Sequence, residues 1–204
     1  VSQNSQEFQG YLKSLENRLE ISINFAIQNF YGNSKPLGTS DAIFQTMNQY
    51  EELIKTRFLV CNCDNLYSVK AIKTLLGESN YNSMIAYDFE YLEFSNDRLS
   101  SFSLLNIENN FLSKIIEKPD LELIINHSRK KYVSMNIFSF NGSEIYKHLR
   151  DCPINVKRGE KEIATALQNM ILENKKSVIA FPLCEHVPDL TYKDDLEKIN
   201  KFLN

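Results

Sequence analysis

The chain has 204 residues, 43% of them apolar and 24% charged, with a net charge of −3. That length fits one ordinary domain with a packed core, and the interleaved Lys and Glu leave no basic stripe for a nucleic-acid backbone. No apolar run approaches the ~20 residues of a membrane helix, and the opening "VSQNSQEFQG" lacks the basic and apolar regions of a signal peptide.

Apolar residues at Phe8, Tyr11, Leu12, Leu15 and Leu19 predict a helix from Ser5 to Leu19. "ISINFAI" alternates and predicts a strand. After the loop "QNFYGNSKPLG", Thr39 or Ser40 can cap a helix whose inner face holds Ala42, Ile43, Thr46, Met47, Tyr50 and Ile54. "RFLVCN" is apolar throughout and predicts a strand buried on both faces. Val69 to Leu76 is a short helix closed by Gly77, and "MIAYDFE" a strand.

"SSFSLLNI", "ENN" and "FLSKIIE" predict a β-hairpin, and "KYVSMNIFSF" a further strand. Short and longer helices follow at Ser143 to Leu149 and Glu160 to Glu173. "SVIAFPL" is a late strand, and Thr191 to Leu203 a closing helix with Asp194 and Asp195 near its positive end. Strands alternating with helices imply an α/β fold with a mixed, mainly parallel Rossmann-like sheet flanked by helices, in one domain spanning 1–204.

The cysteines Cys61, Cys63, Cys152 and Cys184 show no disulfide-framework spacing, which fits a reduced, cytoplasmic setting. Zinc needs about four ligands, and His127, His148 and His186 each stand alone in the sequence. Cys61 and Cys63 form C-x-C rather than the redox spacing C-x-x-C, so strand packing is their expected role.

Ligands of open α/β sheets bind beyond the carboxyl ends of strands. Asp64 follows "FLVCN", Glu117, Lys118 and Pro119 follow the hairpin, Gly38 and Thr39 open a helix, and Asp189 follows the late strand. From spacing alone, Asp64 is either a metal carboxylate or a turn aspartate, since "DN" is also turn chemistry.

Six segments, in order, resemble the sugar-phosphate nucleotidylyltransferases: "KPLGTSDAI", "FLVCNCDNLYS", "LSKIIEKP", "YVSMNIFSF", "KRGEKEIATAL" and "VPDLTYKDDLEKINKFL". The resemblance implies a nucleotide-diphospho-sugar transferase type of fold. It also implies transfer of a nucleoside monophosphate from a nucleoside triphosphate to a sugar 1-phosphate, with Mg²⁺ as cofactor. It matches Asp64 and Asp189 to metal carboxylates and Lys118 and Arg158 to phosphate contacts. It matches Glu117 to sugar hydroxyls, Gly38 and Thr39 to the base and ribose, Gln28 to the base edge and Asn136 to a sugar contact.

Two alternatives stay open: a non-catalytic sugar-phosphate-binding or regulatory module, and a phosphorylated alcohol such as phosphocholine as acceptor. A homo-oligomer is equally open. With six glycines and no glycine-rich G-x-G-T-R loop, the chain is expected to begin inside the fold, N-terminally truncated by a first β-α-β unit of about 30 residues.

Overall fold

The computed structural model describes residues 1, 5–77, 80–120, 122, 130–193 and 195–203; His127 and Asp194 lie outside the described residues. Among these residues seven strands form one mixed sheet: β1 (Arg57–Cys61), β2 (Asn82–Asp88), β3 (Ser103–Glu108), β4 (Phe111–Ile116), β5 (Tyr132–Ser134), β6 (Ile137–Asn141) and β7 (Val178–Leu183). The helices are α1 (Gln6–Leu19), α2 (Thr39–Gln49), α3 (Glu52–Lys55), α4 (Val69–Leu76), α5 (Asn96–Leu99), α6 (Gly142–Arg150), α7 (Ile163–Glu173) and α8 (Asp195–Leu203).

Strand β2 is buried along its whole length, and its alternation builds two cores. Met84 and Ala86 pack with Ile43 and Met47 of α2, Ile145 and Leu149 of α6 and Leu167 of α7. Ile85 and Tyr87 face Ala71 and Leu75 of α4 and Leu99 of α5. Each large side chain buried this way contributes about 1.5–3 kcal/mol.

Several expectations are corrected. The sheet is mixed but not mainly parallel: among the described pairings only β2–β7 is parallel, and those of β1–β6, β2–β6, β2–β5, β3–β5, β3–β4 and β4–β7 are antiparallel. Extended sequence reports a strand, whereas direction is set by partners distant in the chain. The segment after residue 131 returns antiparallel beside β2 and interposes itself between β2 and β1.

Strand β1 lies at the sheet edge and is half-buried, because β6 is its partner on one side only. Cys61 and Cys63 are therefore exposed rather than packed inside. Partial burial, and then its neighbour Cys63, push the Cys61 thiol above its ordinary value, away from a reactive thiolate.

"ISINFAI" forms no strand. Its backbone is matched by side chains of α2: the Gln49 carboxamide bonds both Ile27 N–H and C=O, at 2.9 Å each. Gln45 does the same for Asn29, at 2.6 and 3.0 Å, and the Tyr50 hydroxyl donates to the Phe25 carbonyl at 3.0 Å. Side-chain amides here supply what a neighbouring strand would.

"KYVSMNIFSF" is two strands rather than one. Val133 pairs with Tyr87, yet Phe138 pairs with Met84, a slip of two residues at Met135–Asn136. Asn136 has φ +54, the left-handed region that Asn tolerates better than most residues. The hairpin is as expected, with Asn109 and Asn110 both at positive φ in its turn. Helix α7 starts at Ile163, because residues 155–161 are held in a loop by an Asn155–Glu160 bridge and by bonds from Lys161 to the 37–40 segment.

Candidate active site

The slip at Met135–Asn136 opens a crevice. Cys61 at the carboxyl end of β1 pairs with Ile137, and Ser103 at the amino end of β3 pairs with Ser134. Both strands lie on the same flank of the β5–β6 line, end facing end, with Met135 and Asn136 as the floor between them. The resulting cavity, about 230 Å³, is lined by Asn62, Asp64 and Asn65 after β1, Ser101 and Phe102 before β3, and Glu117 and Lys118 after β4. Thr39 of α2, the Glu160–Ile163 segment, Asp189 and Thr191 complete it.

One corner joins the loops that follow β1 and β7. Asn65 and Asp189 form an antiparallel bridge, the Leu190 N–H donates to the Asp64 carbonyl at 2.8 Å, and the Leu66 N–H to the Pro188 carbonyl at 2.9 Å. This pairing brings Asp64 and Asp189 into one cavity although 124 residues separate Asn65 from Asp189. Beneath them the Tyr67 hydroxyl donates to the Met135 carbonyl at 2.6 Å and accepts from the Asn62 N–H at 3.3 Å. Burial above all pushes the Tyr67 phenol well above its ordinary range, so it remains a hydroxyl.

The two carboxylates differ. Asp64 is exposed, and its carboxylate accepts no hydrogen bond among the described residues. Asp189 is 7% exposed and held on both oxygens. Its Oδ1 accepts from Asn65 Nδ2 at 3.2 Å, and its Oδ2 from Arg98 at 2.7 Å and Thr191 Oγ1 at 2.9 Å. Mg²⁺ favours one or two protein carboxylates completed by phosphate oxygens and water. The donor set fits that requirement through Asp64. Among the described residues no three His, Cys, Asp or Glu side chains gather as a metal cluster.

Opposite this corner, Glu117 is half-buried and accepts a hydrogen bond from Ser103 Oγ. Burial in the first place, and Glu162 besides, raise its pKa, while Ser103, Arg158 and Lys118 oppose the shift. Lys118 is exposed at the rim and has φ +45. Arg158 sits behind the carboxylates, 2.5 Å from Glu162 and 3.7 Å from Glu117. Lys35 ties the same loop down through Glu160 at 2.9 Å and the Arg158 carbonyl at 3.0 Å.

Gly38 sets the remaining wall. Its φ of +97 suits glycine, and an added Cβ would stand 2.8 Å from the Lys161 carbonyl oxygen. The close approach lets Lys161 N–H donate to the Leu37 carbonyl at 2.6 Å and Ser40 N–H to the Lys161 carbonyl at 3.1 Å. Gly38, Lys118 and Asn136, all at or bordering the cavity, share positive φ. Such conformations cost about 1–3 kcal/mol for a residue with a side chain and cluster at working sites.

Of the residues singled out in the sequence, Thr39, Asp64, Glu117, Lys118, Asn136 and Asp189 line the cavity. Gly38 supports its wall. Arg158 and Gln28 do not line it: Arg158 is paired with Glu162, and the Gln28 amide nitrogen is buried without a hydrogen-bond partner among the described residues. Sequence reasoning gave no part to Asn62, Asn65, Glu160, Lys161 and Glu162, although all lie within the quoted motifs, or to Arg98, whose "NDRLS" context carries no signal.

No protein-family model matches the sequence, and no curated protein matches it. Solved structures do. A UDP-glucose pyrophosphorylase solved with UDP-glucose superposes with a TM-score of 0.71 and 16% identity, covering 99% of this chain and 78% of its own. An inositol-1-phosphate CTP transferase from T. maritima gives a TM-score of 0.69 and 15% identity over 100% of this chain and 73% of its own. These neighbours are sugar-phosphate nucleotidylyltransferases, and this chain shares their nucleotidyltransferase-like α/β fold, a mixed sheet flanked by helices. Among the described residues no helix is long and apolar enough to cross a membrane.

Proposed function

We propose that residues 1–204 form a single nucleotidyltransferase-like domain of an enzyme that transfers a nucleoside monophosphate from a nucleoside triphosphate to a sugar 1-phosphate, releasing pyrophosphate. One observation carries this reading: the β5–β6 slip gathers Asp64, Glu117, Lys118, Asn136 and Asp189 around one polar cavity, in a fold shared with enzymes of that kind. The acceptor phosphate oxygen attacks the α-phosphorus in line, and the bond to the pyrophosphate leaving group breaks. Such transfer depends on positioning and charge neutralisation more than on covalent help.

Each residue has a distinct part. Lys118, exposed at the rim, meets the acceptor phosphate as a mobile point charge. Glu117, Asn136 and the Asn62 and Asn65 amides hold acceptor hydroxyls. Thr39 and the Gly38 backbone border the nucleotide, and the Arg158 guanidinium orients Glu117 and Glu162 from behind. Asp64 would hold a Mg²⁺, with Asp189 beside it, and the bound ion would supply charge neutralisation for the phosphate oxygens.

A sugar or polyol suits the lining better than phosphocholine. Five carboxylates, from Asp64, Glu117, Glu160, Glu162 and Asp189, line the cavity beside one aromatic ring, Phe102, whereas a quaternary amine calls for an aromatic cage. The test is pyrophosphate release with MgCl₂ and each of CTP, UTP, dTTP, ATP and GTP, paired with glucose 1-phosphate, inositol 1-phosphate or phosphocholine. Release with a sugar or polyol phosphate is expected. Release with phosphocholine alone, or with no pair, overturns the proposal.

A further inference from the structure

Arg98 of α5 is held between two carboxylates through its two Nη groups, while its Nε is buried without a hydrogen-bond partner among the described residues. Its guanidinium bonds Asp189 Oδ2 at 2.7 Å and the Asp189 carbonyl at 2.9 Å. It also forks onto Asp195, with Nη1 2.8 Å from Oδ1 and Nη2 2.9 Å from Oδ2. The Phe94 and Tyr192 rings lie 4.8 and 5.3 Å from it, and the side chain is 13% exposed. Asp195 in turn accepts from the Thr191 and Tyr192 N–H groups at 3.2 and 2.8 Å. The clamp thus joins α5, the loop after β7 and the start of α8, and it ends on one of the two carboxylates of the crevice.

We propose that Arg98 is a positioning residue that supplies the positive charge Asp189 requires, so that a divalent cation in the crevice is taken by Asp64 and not shared between the two carboxylates. This inference rests on the reading of the crevice as a nucleotidyltransferase site and adds to it a fixed cation and a one-carboxylate ion site. A cation bound at Asp189 would have to displace a buried forked guanidinium or sit beside it against like-charge repulsion. Asp64, exposed and unbonded among the described residues, presents neither obstacle. Asp189 instead orders the corner: its Oδ1 holds the Asn65 amide and its backbone pairs with the Asp64 loop.

The test is Mn²⁺ titration followed by the electron paramagnetic resonance signal of the free ion, which needs no turnover. Asp64→Asn is expected to weaken Mn²⁺ binding by about tenfold or more, and Asp189→Asn by less than about threefold. Arg98→Gln, which frees Asp189 as a second ligand, is expected to tighten Mn²⁺ by about tenfold. Arg98→Lys retains a positive charge but loses the fork, and it also tightens binding if displacement of the guanidinium is the obstacle; it serves if the Gln variant fails to fold. Equal loss in Asp64→Asn and Asp189→Asn, unchanged affinity in both Arg98 variants, or no Mn²⁺ binding by any form overturns the proposal. Pyrophosphate release by the unaltered chain is read separately, so an active protein with equal Asp64 and Asp189 effects sinks this inference alone.

Discussion

Replacing Gly38 by Ala tests how the cavity wall is made. The native φ of +97 with ψ of −177 lies in a region open to glycine, and a side chain there costs about 1–3 kcal/mol. The new Cβ would also meet the Lys161 carbonyl oxygen at 2.8 Å, Glu160 Cβ at 3.1 Å and Lys161 N at 3.2 Å. Two of these atoms are backbone and belong to the strand-like contact in which Lys161 bonds Leu37 and Ser40, so relief means lengthening hydrogen bonds worth about 0.5–1.5 kcal/mol each. Together the loss is roughly 2–4 kcal/mol. At about 2–4 °C per kcal/mol for a chain of this size, the melting temperature should fall by about 5–15 °C. Urea unfolding gives the same quantity as a lower midpoint at unchanged m. Gly32→Ala is the control: φ is +78, but nothing lies within 4 Å of the added Cβ, so the backbone term acts alone. A Gly38→Ala loss below about 0.5 kcal/mol, or one no larger than that of Gly32→Ala, would mean that the Lys161 contact does not hold this wall.

Glu117→Gln should raise stability at pH 7. With the folded pKa raised, the native state keeps a proton that the unfolded chain has already released, so wild-type stability falls as pH rises from the ordinary carboxylate value through the raised one. Urea midpoints across about pH 4–8 should converge at the acid end and separate at neutrality; parallel profiles would remove the burial argument. In a native thiol titration Cys63 and Cys184 should react first, Cys61 more slowly because its thiol is held above its ordinary value, and Cys152 only on unfolding, and Cys61→Ser should leave stability nearly unchanged. If the proposed transfer is observed, Asp64→Asn should lower turnover sharply and raise the Mg²⁺ concentration needed; intact turnover would displace Asp64 from its assigned part. Acidification through the Asp195 pKa of about 2, set first by its bond to Arg98, should release the α5–α8 clamp, seen as a shift of the Arg98 guanidinium and Asp195 carboxyl NMR signals at low pH.

What the sequence determined by itself was local and chemical. Helix spacing located α1, the closing Gly77 located α4, "MIAYDFE" and "SVIAFPL" located β2 and β7, and the "ENN" turn located the β3–β4 hairpin, because each signal lies within about a dozen residues. Strand ends and motif resemblance also reached six of the cavity residues, since chemistry at a strand end is written in the residues that follow it. The tertiary structure decided the rest. Strand direction, the edge position of β1 and hence the exposure of Cys61 and Cys63 depend on partners distant in the chain. Gln45 and Gln49 turned "ISINFAI" from a strand into a segment laid along a helix, a match of side chain to backbone that periodicity does not encode. The two-residue slip at Met135–Asn136 exists only where β5 and β6 meet β2, and it opens the floor of the crevice. Arg98 reaches Asp189 and Asp195 across 91 and 97 residues of chain. The charge balance of the site therefore belongs to the packed molecule, because electrostatic pairing follows distance in space and not order along the sequence.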